Sequence, residues 1–120
     1  MHTLYGIPNC DTVKKARSFL DVHSIPYLFI DFKKQPPTSD LILQWETFLG
    51  EIPINSKGTT YKKLKDVYLS LNEADKIKFL CKNSSMLKRP ILTNDKTVLF
   101  IGFNVDSYKK VLLNESSPTN

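Results

Sequence analysis

Two cysteines, Cys10 and Cys81, are the first residues of this 120-residue chain whose type suggests chemistry. They lie far apart and fit neither a disulfide framework nor a zinc-ligand spacing, so in a reducing compartment both are expected to be free thiols. Cys10 falls in "YGIPNCDTVKKARSFL", after a short apolar run and before a basic helical pattern. The thiolate is the nucleophilic form of cysteine, and a helix N-terminus favours it with backbone N–H groups and positive dipole charge. Asp11 and Thr12 are good helix-start residues, which sets Cys10 at or just before that terminus. Lys14 and Lys15, about one turn further on, add positive charge, whereas Asp11 opposes it. A cysteine near a strand end is also common core filler, and local physics alone leaves nucleophile and filler evenly matched. Cys81 shares one side of a later helical pattern with Ala74, Ile77 and Leu80, so inert packing is its expected role.

The second informative stretch is "LKRPIL". Arg89 precedes a proline at the start of a strand pattern, an arrangement that sometimes carries a cis X–Pro bond. A guanidinium brought near Cys10 would bind an oxyanion or carboxylate bidentately and favour a thiolate. The alternative is a surface arginine beside a structural proline. His2 and His23 have no Cys, Asp or Glu at ligand spacing, so no metal site is expected. His23 continues an apolar stripe and reads as partly buried or as a helix-end cap. No glycine-rich phosphate loop or paired-carboxylate arrangement stands out. Trp45 and Phe48 read as core.

The elements that must position these groups follow from periodicity. "HTLYGI" is a short strand ended by Gly6 and Pro8. Val13, Ala16, Phe19, Leu20 and His23 then recur at helical spacing. "IPYLFIDF" is a second strand, giving a βαβ unit with parallel strands. After the loop "KKQPPTS", Leu41, Trp45, Phe48 and Leu49 mark a helix closed by Gly50. A short helix is expected near 62–69. "NEADKIKFLCKN" opens with Asn72 and Asp75, a variant of the capping box. "RPILTNDKTVLFIGF" is an antiparallel hairpin, and "VDSYKKVLL" a final helix.

Composition narrows the function classes. Hydrophobic residues are 41% of the chain and aromatic residues 11%, which is ordinary for a globular domain. No apolar run approaches the roughly 18–20 residues of a membrane helix, and the start lacks a secretory signal pattern. A cytoplasmic protein without a membrane partner is expected. The formal net charge is +5, with lysines spread along the chain and not massed. This favours a solvated basic surface over a nucleic-acid site and would suit a small anionic substrate.

"TLYGIPNCDTVKKARSFL", "IDF", "GTTYKKL" and "KRPIL", in this order over almost the whole chain, resemble the arsenate reductase (ArsC)/Spx family, above all its small YffB-type branch. The resemblance implies an α/β, thioredoxin-like fold: βαβ, then a helical insertion at about residues 38–86, then ββα, around a mixed four-stranded sheet. One domain over 1–116 with a flexible tail at 117–120 is expected. Cys10 would be the redox nucleophile, aided by Arg89, and Pro90 the cis-proline. Asn9, Lys14, Lys57 and Pro90 are the candidate substrate-binding residues. Lys57 stands before "GTT", where this branch commonly has arginine.

The chain also departs from its relatives. Arsenate reductases proper surround the oxyanion with three arginines, whereas here Arg89 stands with Lys57, and "FIGF" occupies the place of the third. Lysine is a point charge and not a planar fork, so little arsenate reduction is expected. Spx-type regulators carry a second cysteine three residues after the first, where this chain has Val13. The resemblance therefore implies monothiol chemistry with glutathione as co-substrate, no bound cofactor, and a monomer. Its alternatives are arsenate reduction or non-catalytic binding to RNA polymerase.

Overall fold

The computed structural model describes residues 1–113. The tail expected at 117–120, and the last residues of the domain expected over 1–116, lie outside that range. The chain divides into two compact units, Met1–Asp31 with Arg89–Asn120, and Phe32–Lys88.

The first unit holds strands β1 (His2–Gly6), β2 (Tyr27–Asp31), β3 (Ile91–Asn94) and β4 (Thr97–Ile101), with helices α1 (Asp11–Val22) and α5 (Val105–Leu113). Strand order is β2-β1-β3-β4. β1 runs parallel to β2, as the intervening helix requires, and antiparallel to β3, which forms a hairpin with β4. The sheet is thus mixed and four-stranded, as expected. Asp95 takes a left-handed φ of 54° in the hairpin turn, a conformation aspartate tolerates better than most residues. Leu4, Ala16, Phe19, Leu20, Leu92 and Tyr108 form the core, fed by one face of each strand and the inner stripes of α1 and α5. His23 caps α1, its Nδ1 3.1 Å from the Phe19 carbonyl and its ring stacked on Phe19 at 4.1 Å.

The Phe32–Lys88 unit holds α2 (Ser39–Leu49), α3 (Thr59–Leu69), α4 (Glu73–Lys82) and a 3-10 turn at Ser84–Met86. Thr38 caps α2 by accepting from the Leu41 amide at 3.2 Å, and Gly50 ends it at φ 88°. Asn72 accepts from the Asp75 amide at 2.8 Å, the capping contact expected for α4.

Three expectations need correction here. Trp45 is fully buried, but Phe48 is 47% exposed, and Ile42 fills the core position instead. The reason is phase: Ile42 and Trp45 are three apart on one face, where Trp45 meets Phe32 at 5.9 Å, and Phe48 falls outside that strip. α3 begins at Thr59, earlier than the expected start near 62, because Gly58 supplies the extended entry. Ala74 is exposed and Cys81 only half-buried, so the apolar side of α4 is narrower than its sequence pattern.

Candidate active site

β1 ends at Gly6, and the chain crosses Ile7, Pro8 and Asn9 before α1 begins. Cys10 is the N-cap residue of that helix, extended at φ −124° and ψ 126°. Its carbonyl accepts the first helical hydrogen bond, from the Lys14 amide at 2.9 Å. Helix geometry leaves the preceding amides, those of Asp11, Thr12 and Val13, without intrahelical acceptors. An N-cap side chain ordinarily accepts from one of them; the Cys10 side chain makes no such bond. A sulfur is therefore anchored at the positive end of a 12-residue helix whose first turn has no side-chain acceptor from its cap.

What fixes this turn is the contact behind it. Gly6 is buried, and a Cβ built on it would stand 2.9 Å from Val13 Cγ2. Val13 is itself fully buried. The first turn of α1 therefore lies directly on the end of β1, and only glycine leaves room for it. The sequence showed Gly6 merely as a strand end; the close approach carries no local pattern.

The backbone at Arg89 approaches the end of β1 from the neighbouring strand. Tyr5 pairs with Ile91 in the antiparallel β1–β3 ladder. Continued two steps, that register brings Pro90 level with Gly6 and Arg89 level with Ile7. The Arg89–Pro90 peptide is cis, Pro90 is buried and Arg89 half-buried. The Pro90 carbonyl accepts from the Gly102 amide at 2.8 Å, and Gly102 adopts φ 97°. Tyr108 in turn donates from its hydroxyl to the Gly102 carbonyl at 3.2 Å. Burial pushes the Tyr108 hydroxyl pKa well above its ordinary value. The β4–α5 loop thus braces the cis-proline turn, a support no sequence motif indicated.

Of the expected site residues, Asn9, Cys10, Lys14, Arg89 and Pro90 all fall at this one end of the first unit, Asn9 and Lys14 being exposed. Lys57 is exposed in the loop before α3 and belongs to the Phe32–Lys88 unit. Among the described residues no group of three or more His, Cys, Asp or Glu is placed to hold a metal ion. No helix among them is long and apolar enough to cross a membrane.

The model of the ArsC family matches residues 5–111, which takes in the cysteine turn, the helical segment and the cis-proline turn. The chain belongs to the ArsC family. An uncharacterised protein of Haemophilus influenzae is 37% identical to it over 111 residues, spanning 91% of this chain and 96% of its own. The global transcriptional regulator Spx of Listeria innocua is 32% identical over 116 residues, spanning 93% of this chain and 87% of its own. A solved YffB protein superposes with a TM-score of 0.81 at 34% identity, covering 93% of this chain and 99% of its own. The βαβ and ββα halves described above are thus the ArsC version of the thioredoxin-like fold. Within it Cys10 stands alone in its turn, since an ArsC chain with a second thiol one helical turn on would need it where Val13 is packed against Gly6.

Proposed function

We propose that this ArsC-family protein is a glutathione-dependent thiol oxidoreductase that uses Cys10 as its single nucleophile. The observation that carries the reading is Cys10 at the N-cap of α1, just past the end of β1, whose ladder partner β3 begins directly after the cis Arg89–Pro90 peptide, with buried Val13 where a resolving thiol would stand. In the first step the Cys10 thiolate attacks the glutathione sulfur of a mixed disulfide, forming Cys10–S–S–glutathione and expelling the substrate as its thiolate, which takes a proton from solvent. In the second, the thiolate of another glutathione attacks that glutathione sulfur. Glutathione disulfide forms and the Cys10 thiolate is restored, so the net exchange consumes one free glutathione thiol and releases the substrate thiol, the other half of the product disulfide having come from the mixed disulfide. The first-turn amides of α1 and the Arg89 guanidinium stabilise the sulfur as nucleophile and as leaving group.

The test is a thiol-transfer assay with a glutathionylated peptide, glutathione and a coupled glutathione reductase. The wild type turns over, and Cys10→Ser does not while keeping its fold by circular dichroism. Turnover that survives Cys10→Ser overturns the reading.

Arsenate reduction is the weaker enzymatic reading, because Gly102 and Phe103 fill the stretch where a third arginine is expected; a glutathione- and glutaredoxin-coupled arsenate assay decides it. The likeness to Spx over 116 residues supports a further reading, a regulator that binds RNA polymerase. In that case purified RNA polymerase is captured equally by the wild type and by Cys10→Ser.

A further inference from the structure

Within the Phe32–Lys88 unit, α2 and α4 leave a groove between them, a cavity of about 330 Å³ open to solvent. Two observations set the register of the pair. The Ser39 hydroxyl at the start of α2 lies 3.8 Å from the Cys81 sulfur in the last turn of α4. Burial raises the pKa of the Tyr68 hydroxyl, and the negative charges of Glu73, at the start of α4, and of Glu46, two turns into α2, raise it further. The helices are therefore antiparallel, with Glu46 and Glu73 at one end of the groove. From Ser39 to Glu46 the groove extends about 10 Å, or two helical turns. Leu43, Ala74 and Ile77 line it between those ends. Ile77 belongs to the core, but Leu43 is 46% exposed and Ala74 is exposed as well, so apolar surface faces water along the groove. The carboxylates beside it differ. Glu73 is engaged by Lys76 at 3.6 Å. Glu46 is half-buried, and among the described residues its carboxylate has no hydrogen bond or ion pair. A carboxylate partly withdrawn from water and left unpaired favours an incoming cation. Lys78, the one ammonium in the lining, is exposed, and its long stem carries the charge out to water.

We propose that this groove docks a basic amphipathic helix of a partner protein, its apolar side chains resting on Leu43, Ala74 and Ile77 and a lysine or arginine meeting Glu46. A helix laid in a groove anchors through side chains three, four and seven residues apart, and two turns suffice to seat two such anchors. The local charge is opposite in sign to that of the whole chain, which carries a formal +5. Long-range attraction would bring an acidic helix to this protein. A preference for a basic helix must therefore come from the groove itself.

The test uses the full chain and two fluorescein-labelled helical peptides, each about four turns long. They share one leucine stripe and differ in the polar face, which is lysine in one and glutamate in the other. Binding is read by fluorescence anisotropy at physiological salt, where the net charge is largely screened. The lysine peptide is expected to bind about tenfold more tightly than the glutamate peptide, the increment of one charge-assisted contact. Glu46→Gln should lower the lysine-peptide affinity several-fold and bring the two peptides close to parity. Leu43→Ser, a change at an exposed position, should weaken both. Amide shifts at Leu43, Ala74 and Ile77 on adding the lysine peptide place it in the groove. Equal or tighter binding of the glutamate peptide overturns the proposal. So does a lysine-peptide affinity that neither variant moves. Cys10 belongs to the other unit, and Cys10→Ser should bind both peptides as the wild type does, so the outcome is independent of the thiol-transfer reading.

Discussion

Gly6 and Val13 meet where β1 turns into α1, and a methyl group on Gly6 would stand 2.9 Å from Val13 Cγ2. Both positions are buried, so neither chain segment can move aside without disturbing the core. Gly6→Ala is expected to cost about 1–3 kcal/mol, the usual range for overpacking. It should also lower thiol transfer, because the displaced helix turn is the one that carries Cys10. Urea titration of the purified variant measures the first effect, and an unchanged midpoint would show that the contact relaxes freely.

Val13 also bears on the count of thiols. Residues three apart at the start of a helix have Cα atoms within the separation a disulfide spans, about 4.4–6.8 Å. Val13→Cys should therefore convert the turn into a dithiol. Glutathione disulfide titration of that variant is expected to yield an intramolecular disulfide between positions 10 and 13. The wild type should give only the Cys10 mixed disulfide at this turn. The smaller side chain costs on the order of 1 kcal/mol. Should the variant keep both thiols free under oxidation, Cys10 does not face the helix interior.

Much of this was legible from the chain. Asn72 and Asp75, Gly50, and the "TNDK" turn each act through neighbours a few residues away, and the capped helices and the hairpin stand where those residues put them. Cys10 was placed at a helix start by Asp11 and Thr12, and it is the N-cap. What local pattern could not show is contact between distant segments. Gly6 against Val13, and the chain from Tyr108 through Gly102 to Pro90, depend on how the helices lie on the sheet. The apolar side of α4 is narrower than its phase for the same reason: Ala74 shares the helical register of Ile77 and Leu80, yet it is exposed.

Arg89 offers a test of geometry against charge. A charge-assisted hydrogen bond contributes about 1.5–3 kcal/mol, so Arg89→Ala should lower kcat/KM for thiol transfer by roughly tenfold to a hundredfold. Arg89→Lys keeps the charge but loses the planar fork, and should recover only part of the activity. Steady-state kinetics on both variants, with melting curves to confirm that the half-buried position tolerates them, separates the two contributions. Full activity in Arg89→Ala would remove the guanidinium from the mechanism.

The last prediction concerns alkaline pH. Tyr108 is fully buried among Phe19, Phe100 and Phe103, with edge-on ring contacts of 5.5, 5.9 and 4.7 Å, and its hydroxyl donates to the Gly102 carbonyl. Burial raises its pKa in the folded chain, and burial also raises those of Tyr5 and Tyr68. In the unfolded chain a tyrosine ionises near pH 10. Below that pH both states hold the phenolic proton, and the stabilising difference is fully present. As pH rises past 10 the unfolded chain loses protons that the folded chain keeps, so stability falls with increasing pH. Urea midpoints should therefore decline steadily between about pH 9.5 and 11. Tyr108→Phe removes the ionisable group and one hydrogen bond, at a cost of about 1 kcal/mol near neutrality, and its decline over the same interval should be shallower. Parallel slopes for the two proteins would mean that Tyr108 ionises within the fold as readily as outside it, and that the brace it gives to Gly102 does not hold it protonated.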